Sequence, residues 1–204
     1  MDWFRCYLGA LSVATLAVLP FPTPRSLFDA AATTPTRYTV IGYERAAAFG
    51  PGWAPTRSGC DTRAVAMAEA WGQSCTVPYV QWDVGPIPDP YTGEGLYPSD
   101  VELDHLFPLS AAWDLGAYRW DAATRLQFAN DPDNLIVTSS AANQAKSDML
   151  PSEWMPPKHR SHCAYSQRLN HVARKYHLPL TTHDLRVMRR SCAGIKGLIS
   201  ERVL

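Results

Sequence analysis

The stretch VELDHLFPLSAAWD, residues 101–114, places Glu102, Asp104 and His105 close together in an otherwise apolar run. Apolar residues on both sides of these polar ones are typical of a buried β-strand, which we expect to end near His105. A carboxylate beside a histidine can hold a cation and accept a proton. Such a pair alone is more often a structural hydrogen bond, so its meaning depends on residues later in the chain.

Two asparagines come next at informative places. Asn134 begins NLIVTS, which predicts a second strand, and Asn143 lies in AANQAKSD, which predicts a helix capped by Ser139 or Ser140. A strand, a second strand and a helix in this order form a ββα unit that would bring His105 and both asparagines together. Hydrolysis of a phosphodiester needs a base for water and a cation for the phosphate oxygens, and this unit offers both. Taken singly, Asn134 is also typical of a turn and Asn143 of a solvated helix face.

Several short motifs resemble a known family, the secreted bacterial HNH endonucleases, whose relatives occur in modification-dependent restriction enzymes. The motifs are, in order, GCDTR (59–63), DPYTG (89–93), ELDHLFPLSAAW, GAYRW, FANDPDNLIV, NQAKSD and PSEWMPP, followed by Cys163 and Cys192. The resemblance implies an α+β fold with a ββα-metal core, also called a His-Me finger, to which further helices and two disulfides are added.

The resemblance also implies roles for single residues. His105 would be the general base, Asn134 would hold the ring or backbone of His105, and Asp104 with Asn143 would bind one divalent cation. Hard oxygen ligands favour Mg²⁺, or Mn²⁺, over Zn²⁺. Weaker candidates are Glu102, for a water-mediated metal contact, and Lys146 and Arg63, for phosphate contacts. The chain departs from the family in the Ser after Lys146, where Gly is usual, and in ending the motif with Asn rather than His; both affect the tightness of metal binding.

The chain has the length of one domain. Its 204 residues, 46% apolar, can bury a single core. We expect a signal peptide at 1–32 and one nuclease domain at 33–204, with the ββα core at about 100–150 and a basic helical part at 157–204. The formal net charge is zero, but residues 157–204 carry +8 and the rest −8. The basic part predicts contacts to backbone phosphates, or else a solvated face.

Periodicity and turn residues predict the other elements. Helices are expected at 63–71, 110–116, 121–130, 161–176 and 182–192, and hairpins within 74–100.

The N-terminus predicts export. Arg5 precedes an apolar run at 7–21, and small residues at 30–32 are typical of a cleavage site; an uncleaved membrane anchor is the alternative. Cys6 lies in this segment, which leaves four cysteines for an oxidising compartment. Of the three pairings we favour the two local ones, Cys60 with Cys75 and Cys163 with Cys192. Zinc binding by these cysteines is the rival interpretation, but no C-x-x-C spacing supports it.

The sequence thus predicts a secreted, metal-dependent HNH endonuclease that cleaves DNA, or RNA, with little sequence specificity. It indicates no obligate protein partner and no membrane contact beyond the signal segment. The alternatives are a non-catalytic exported DNA-binding or competence-type module, and a toxin nuclease with an immunity partner.

Overall fold

The computed structural model describes residues 3–18 and 32–193, which form a mixed α and β structure. The helices are α1 (Trp3–Val18), α2 (Arg45–Phe49), α3 (Thr62–Trp71), α4 (Leu109–Asp114), α5 (Ala122–Ala129), α6 (Ser140–Lys146), α7 (His162–Lys175) and α8 (Thr182–Ser191). The strands are β1 (Thr33–Thr34), β2 (Ile87–Pro88), β3 (Gly95–Leu96), β4 (Val101–His105), β5 (Leu135–Ser139) and β6 (Leu180–Thr181). The predicted α+β class is confirmed.

The strands β4 and β5 form an antiparallel pair at the centre of the site. Their register runs from Val101 opposite Ser139 to His105 opposite Leu135. The helix α6 comes directly after β5, because the Ser139 hydroxyl accepts a hydrogen bond from the backbone N–H of Ala142 and caps the first turn. The predicted order of strand, strand and helix is therefore present, with the first strand ending at His105 as expected.

The helices predicted around this pair are also present, and two of them have a capping residue visible in the sequence. Asp61 caps α3 and Asp121 caps α5 through backbone N–H groups of the first turn. The hairpin prediction for 74–100 holds only in part, since β2 and β3 pair over two residues each. Prolines in this region cannot donate ladder hydrogen bonds, so turns and short 3-10 helices replace longer strands.

The main hydrophobic core is formed chiefly by residues of α2, α4, α5, α7 and α8. Among its fully buried members are Phe107, Phe128, Tyr165, Leu169 and Met188. A second, smaller cluster joins α3 to β3 and β4 through Met67, Trp71, Leu96 and Val101. Residues at both ends of β4, Val101 before its polar residues and Leu106 and Phe107 after them, are thus packed in hydrophobic clusters, which fixes the strand.

Both predicted disulfides are confirmed: Cys60 is bonded to Cys75, and Cys163 to Cys192. The first closes a loop around α3, and the second joins α7 to the residue after α8. Closing loops of 15 and 29 residues restricts the unfolded chain and stabilises the fold by about 3 kcal/mol each. Zinc binding by these cysteines is wrong, because each sulfur already has a covalent partner.

The helix α1 falls within the expected signal segment, whereas residues 19–31, with the first two residues of the expected cleavage site, lie outside the described residues. No helix within 3–18 and 32–193 is long and apolar enough to cross a membrane. The strand β1 pairs in parallel with β6, which ties the beginning of the expected domain to the start of α8.

The basic C-terminal segment forms the two predicted helices, but part of its charge serves internal contacts. The Arg168 guanidinium donates to the backbone oxygens of Pro132 and Asp133, in the turn that precedes β5, and of Leu135, the first residue of β5. Lys175 forms ion pairs with Asp131 and Asp133 in the same turn. These contacts hold α7 against the turn. Phosphate binding by the basic residues of 157–204 stays a prediction, and residues 194–204 of this part lie outside the described residues.

Candidate active site

The imidazole of His105 is held in one orientation at the end of β4. Its Nε2 lies 2.8 Å from the backbone oxygen of Ala129. A carbonyl oxygen can only accept, so Nε2 carries the proton and Nδ1 keeps its lone pair. Burial lowers the pKa of His105 to about 3, so the ring is neutral at physiological pH. The indole of Trp53 stacks on the imidazole, with ring centroids 5.3 Å apart and planes inclined by 19°.

Asn134 is fully buried and fixes the backbone just after His105. Its Oδ1 accepts from the N–H of Phe107 at 2.7 Å, and its Nδ2 donates to the Phe107 oxygen at 3.2 Å. The backbone oxygen of Asn134 also accepts from the N–H of Leu106. The structure therefore places Asn134 on the backbone after His105 and not on its ring. These bonds lock the exit of β4 to the start of β5.

Asp104 lies at the centre of a buried polar cluster. Its Oδ1 accepts from the Lys146 ammonium at 2.9 Å, and its Oδ2 accepts from the Tyr91 hydroxyl at 2.6 Å. The same ammonium donates to the backbone oxygen of His105. Burial raises the pKa of Asp104 and lowers that of Lys146, while the opposite charge of each partner acts against the shift. The phosphate contact expected of Lys146 does not fit this arrangement, because its ammonium is buried and already has two acceptors.

Glu102 orients Asn143. Its carboxylate accepts from the hydroxyl of Ser140 at 2.6 Å and from Nδ2 of Asn143 at 2.7 Å, and these two bonds lower the pKa of Glu102. Because Nδ2 of Asn143 donates to Glu102, the amide oxygen Oδ1 of Asn143 makes no bond to Glu102 and can act as a metal ligand. Arg63 lies elsewhere: its guanidinium donates to the backbone oxygen of Val101, at the opposite end of β4 from His105.

Two cavities flank His105. One, of about 350 Å³, is lined by residues that include Glu44, Arg45, Trp53, His105 and Ala129. The other, of about 230 Å³, is lined by residues that include Tyr43, Arg45, Asp104, His105, Asn143 and Asp148. The expected base and both expected metal ligands therefore border one cavity, and neither lining includes Asn134, Lys146 or Glu102.

The donor types at the second cavity fit a weakly held, hydrated Mg²⁺ or Mn²⁺. Asp104 offers a carboxylate and Asn143 an amide oxygen, which are hard ligands. Among residues 3–18 and 32–193, no group of three or more His, Cys, Asp or Glu side chains could hold a metal. Water and substrate oxygens would have to complete the coordination, as is common for Mg²⁺. The positive charge of Lys146 beside Asp104 opposes tight binding.

Sequence reasoning missed three residues of this site. Tyr91 lies in the motif DPYTG, which belongs to the family resemblance, but nothing in that motif predicts its hydrogen bond to Asp104. Asp89 from the same motif is buried and accepts from the Thr138 hydroxyl and the Ser139 N–H, which joins the loop to the end of β5. Trp53 lies in a segment rich in Pro and Gly that has no periodicity, and no pattern in the sequence indicated its stacking on His105.

Comparison with known proteins agrees with this architecture. Residues 79–188 match the family model of the C-terminal domain of GmrSD restriction endonucleases, a range that runs from before β2 into α8. An uncharacterized secreted protein of the fungus Arthroderma benhamiae is 31% identical over 197 residues, which cover 87% of this chain and 93% of the relative. No solved structure matches. The fungal relative means that the expected restriction to bacteria is not supported.

The matched range contains β4, β5 and α6, and with them every predicted site residue except Arg63 and Cys60, Cys75 and Cys192. It also spans more than half of the chain. On these grounds the protein belongs to the family defined by the C-terminal domain of GmrSD restriction endonucleases.

Proposed function

We propose that this protein is an exported, metal-dependent endonuclease of the HNH type, which hydrolyses phosphodiester bonds in nucleic acid and chiefly in DNA. The observation that carries the proposal is the fixed, neutral imidazole of His105 at a cavity that Asp104 and Asn143 also line. Membership of a nuclease family supports the reaction class. The two disulfides and the secreted relative support export.

In the proposed reaction His105 is the general base. Its Nδ1 takes a proton from a water molecule, whose oxygen then forms a bond to phosphorus. The bond from phosphorus to the leaving oxygen breaks, and that oxygen takes a proton from solvent. Bound Mg²⁺ or Mn²⁺, held by Asp104 and Asn143, would supply positive charge for the phosphate oxygens. Trp53 and Ala129 keep the imidazole in place for this transfer, and Asn134 fixes the backbone that follows His105.

A non-catalytic module that binds DNA would use the same fold without turnover. We therefore incubate the purified protein with supercoiled plasmid, single-stranded DNA and RNA, each with Mg²⁺ or with chelator. Fragments that form only with Mg²⁺ support the nuclease, and the lanes in which they appear identify its substrates. Nucleic acid that migrates more slowly in the gel but stays intact in every lane would favour the non-catalytic binding module.

Replacing Asn143 with Ala should raise the Mg²⁺ concentration needed for half-maximal cleavage. The variant loses a neutral ligand, so the shift should be about tenfold or more, and excess Mg²⁺ should restore most of the rate. Rates measured over a Mg²⁺ titration check this. Gln167→Ala, an exposed residue of α7 that lines neither cavity, serves as the control and should titrate as the wild type does. Superimposable curves for Asn143→Ala and wild type would remove Asn143 from the metal site.

Replacing Trp53 with Ala should lower kcat by about 10- to 100-fold and leave KM nearly unchanged, because the ring stacked on His105 positions the base. Trp53→Phe keeps an aromatic face and should recover most of the rate. Steady-state kinetics on plasmid DNA separate the two constants. An increase in KM at constant kcat would show instead that Trp53 contacts the substrate.

A further inference from the structure

Arg45 is placed where the two cavities beside His105 come together. It is the first residue of α2 and lines both cavities, and only His105 and Leu109 share this property among the described residues. It lies outside the matched range 79–188. The side chain is exposed and forms no hydrogen bond or ion pair with any residue in the described part of the chain.

The carboxylates that line the cavities already have partners. Asp148 is paired with Arg37 at 2.6 Å and accepts from the Ser110 hydroxyl. Both oxygens of Glu44 accept from backbone N–H groups in the first turn of α2. Asp104 is paired with Lys146. Within 3–18 and 32–193, the positive charge of Arg45 is therefore left without a partner at the mouth of the site.

Other cations near the site are engaged or buried. The Lys146 ammonium has two acceptors inside the protein, and the Arg37 guanidinium bridges Asp114 and Asp148. Among the described residues that line the two cavities, Arg45 is the one lysine or arginine, and the imidazole of His105 is neutral. An anionic ligand bound beside His105 in either cavity would therefore share that cavity with Arg45.

We propose that Arg45 binds a phosphate of the nucleic acid backbone next to the phosphodiester bond that is hydrolysed at His105. This inference rests on the proposed function and extends it by naming a substrate-binding residue. The planar guanidinium can donate two parallel hydrogen bonds to two phosphate oxygens, a geometry that an ammonium cannot reproduce. Its position between the cavities would place the backbone across the edge of the imidazole.

The first test measures binding without turnover. A fluorescein-labelled DNA duplex is titrated with His105→Ala, and with the same variant carrying Arg45→Ala or Arg45→Lys. Loss of charge-assisted hydrogen bonds should raise Kd by about tenfold or more for Arg45→Ala, with a smaller rise for Arg45→Lys. Arg57→Ala, an exposed residue outside the basic part 157–204 that lines neither cavity, is the control, and its Kd should rise by less than that of Arg45→Lys.

The second test needs no variant at position 45. Phenylglyoxal modifies accessible arginines, and mass spectrometry of the wild-type protein compares modification of Arg45 and Arg57 with and without the duplex. DNA should protect Arg45 more strongly than Arg57. Equal Kd values together with unprotected Arg45, or no binding of DNA at all, would overturn the inference. Protection of Arg45 in a protein that cleaves no substrate would support the phosphate site at Arg45 and contradict the proposed nuclease activity.

Discussion

Replacement of His105 by Ala is expected to lower the rate of plasmid cleavage by about 10² or more, the usual contribution of a general base. The variant loses the Nδ1 lone pair and leaves Asp104 and Asn143 in place. The measurement is the initial rate at saturating Mg²⁺. His171→Ala is the control, because its exposed side chain, 3.3 Å from Asp133, lies on α7 and lines neither cavity.

His105 is buried, so its loss could also weaken the fold. His105→Gln fills more of the same volume without offering a base, and it should be as inactive as His105→Ala while retaining thermal stability closer to wild type. Cleavage at a near-normal rate by a folded His105→Gln protein would exclude His105 as the base. If the cleavage rate falls in proportion to the fraction of folded protein in both variants, His105 has a structural role.

Replacement of Lys146 by Met should lower the free energy of unfolding by about 3–5 kcal/mol at neutral pH. The ammonium is fully buried and paired with Asp104, and its removal leaves an uncompensated carboxylate in the interior. Urea unfolding with intact disulfides measures this. Lys175→Met removes a partly exposed lysine from its ion pairs and should cost about 1 kcal/mol or less.

The pH dependence of this loss has a definite sign. Lys146 lowers the pKa of Asp104, so the Met variant raises that pKa further. A buried carboxyl whose pKa is raised destabilises the fold above its unfolded pKa, and the cost falls as acid protonates it. The difference between wild type and variant should therefore shrink at acidic pH. A small difference that is constant with pH would show that the pair contributes little.

The order of the central elements could be predicted because their signals are local. Alternating apolar residues mark β4, a capping serine marks α6, and an even number of cysteines after the signal segment indicated two disulfides. The contacts that decide the chemistry are long-range. Tyr91 and Lys146 both contact Asp104 although they lie 13 and 42 residues from it, and no spacing in the sequence predicts these contacts.

Residue types alone also do not indicate burial. A lysine near a nuclease motif suggests phosphate binding, whereas the fold buries Lys146 behind Asp104. Arg45, in the short helix α2, and Trp53, in the segment after it, carry no periodic signal, and only the packing of this region against His105 brings them to the site. Basic residues of α7 looked like a surface for DNA, yet Arg168 and Lys175 bind the turn before β5.

The most direct test of the account is whether cleavage depends reversibly on the cation. Plasmid is incubated with the purified protein in Mg²⁺, then in excess chelator, and then after Mg²⁺ is restored, with His105→Ala run in parallel. We expect nicked or linear DNA from the wild type in the first and third conditions only, and intact plasmid from the variant throughout. Equal cleavage in chelator, or equal cleavage by His105→Ala, would contradict a metal-dependent site built on His105.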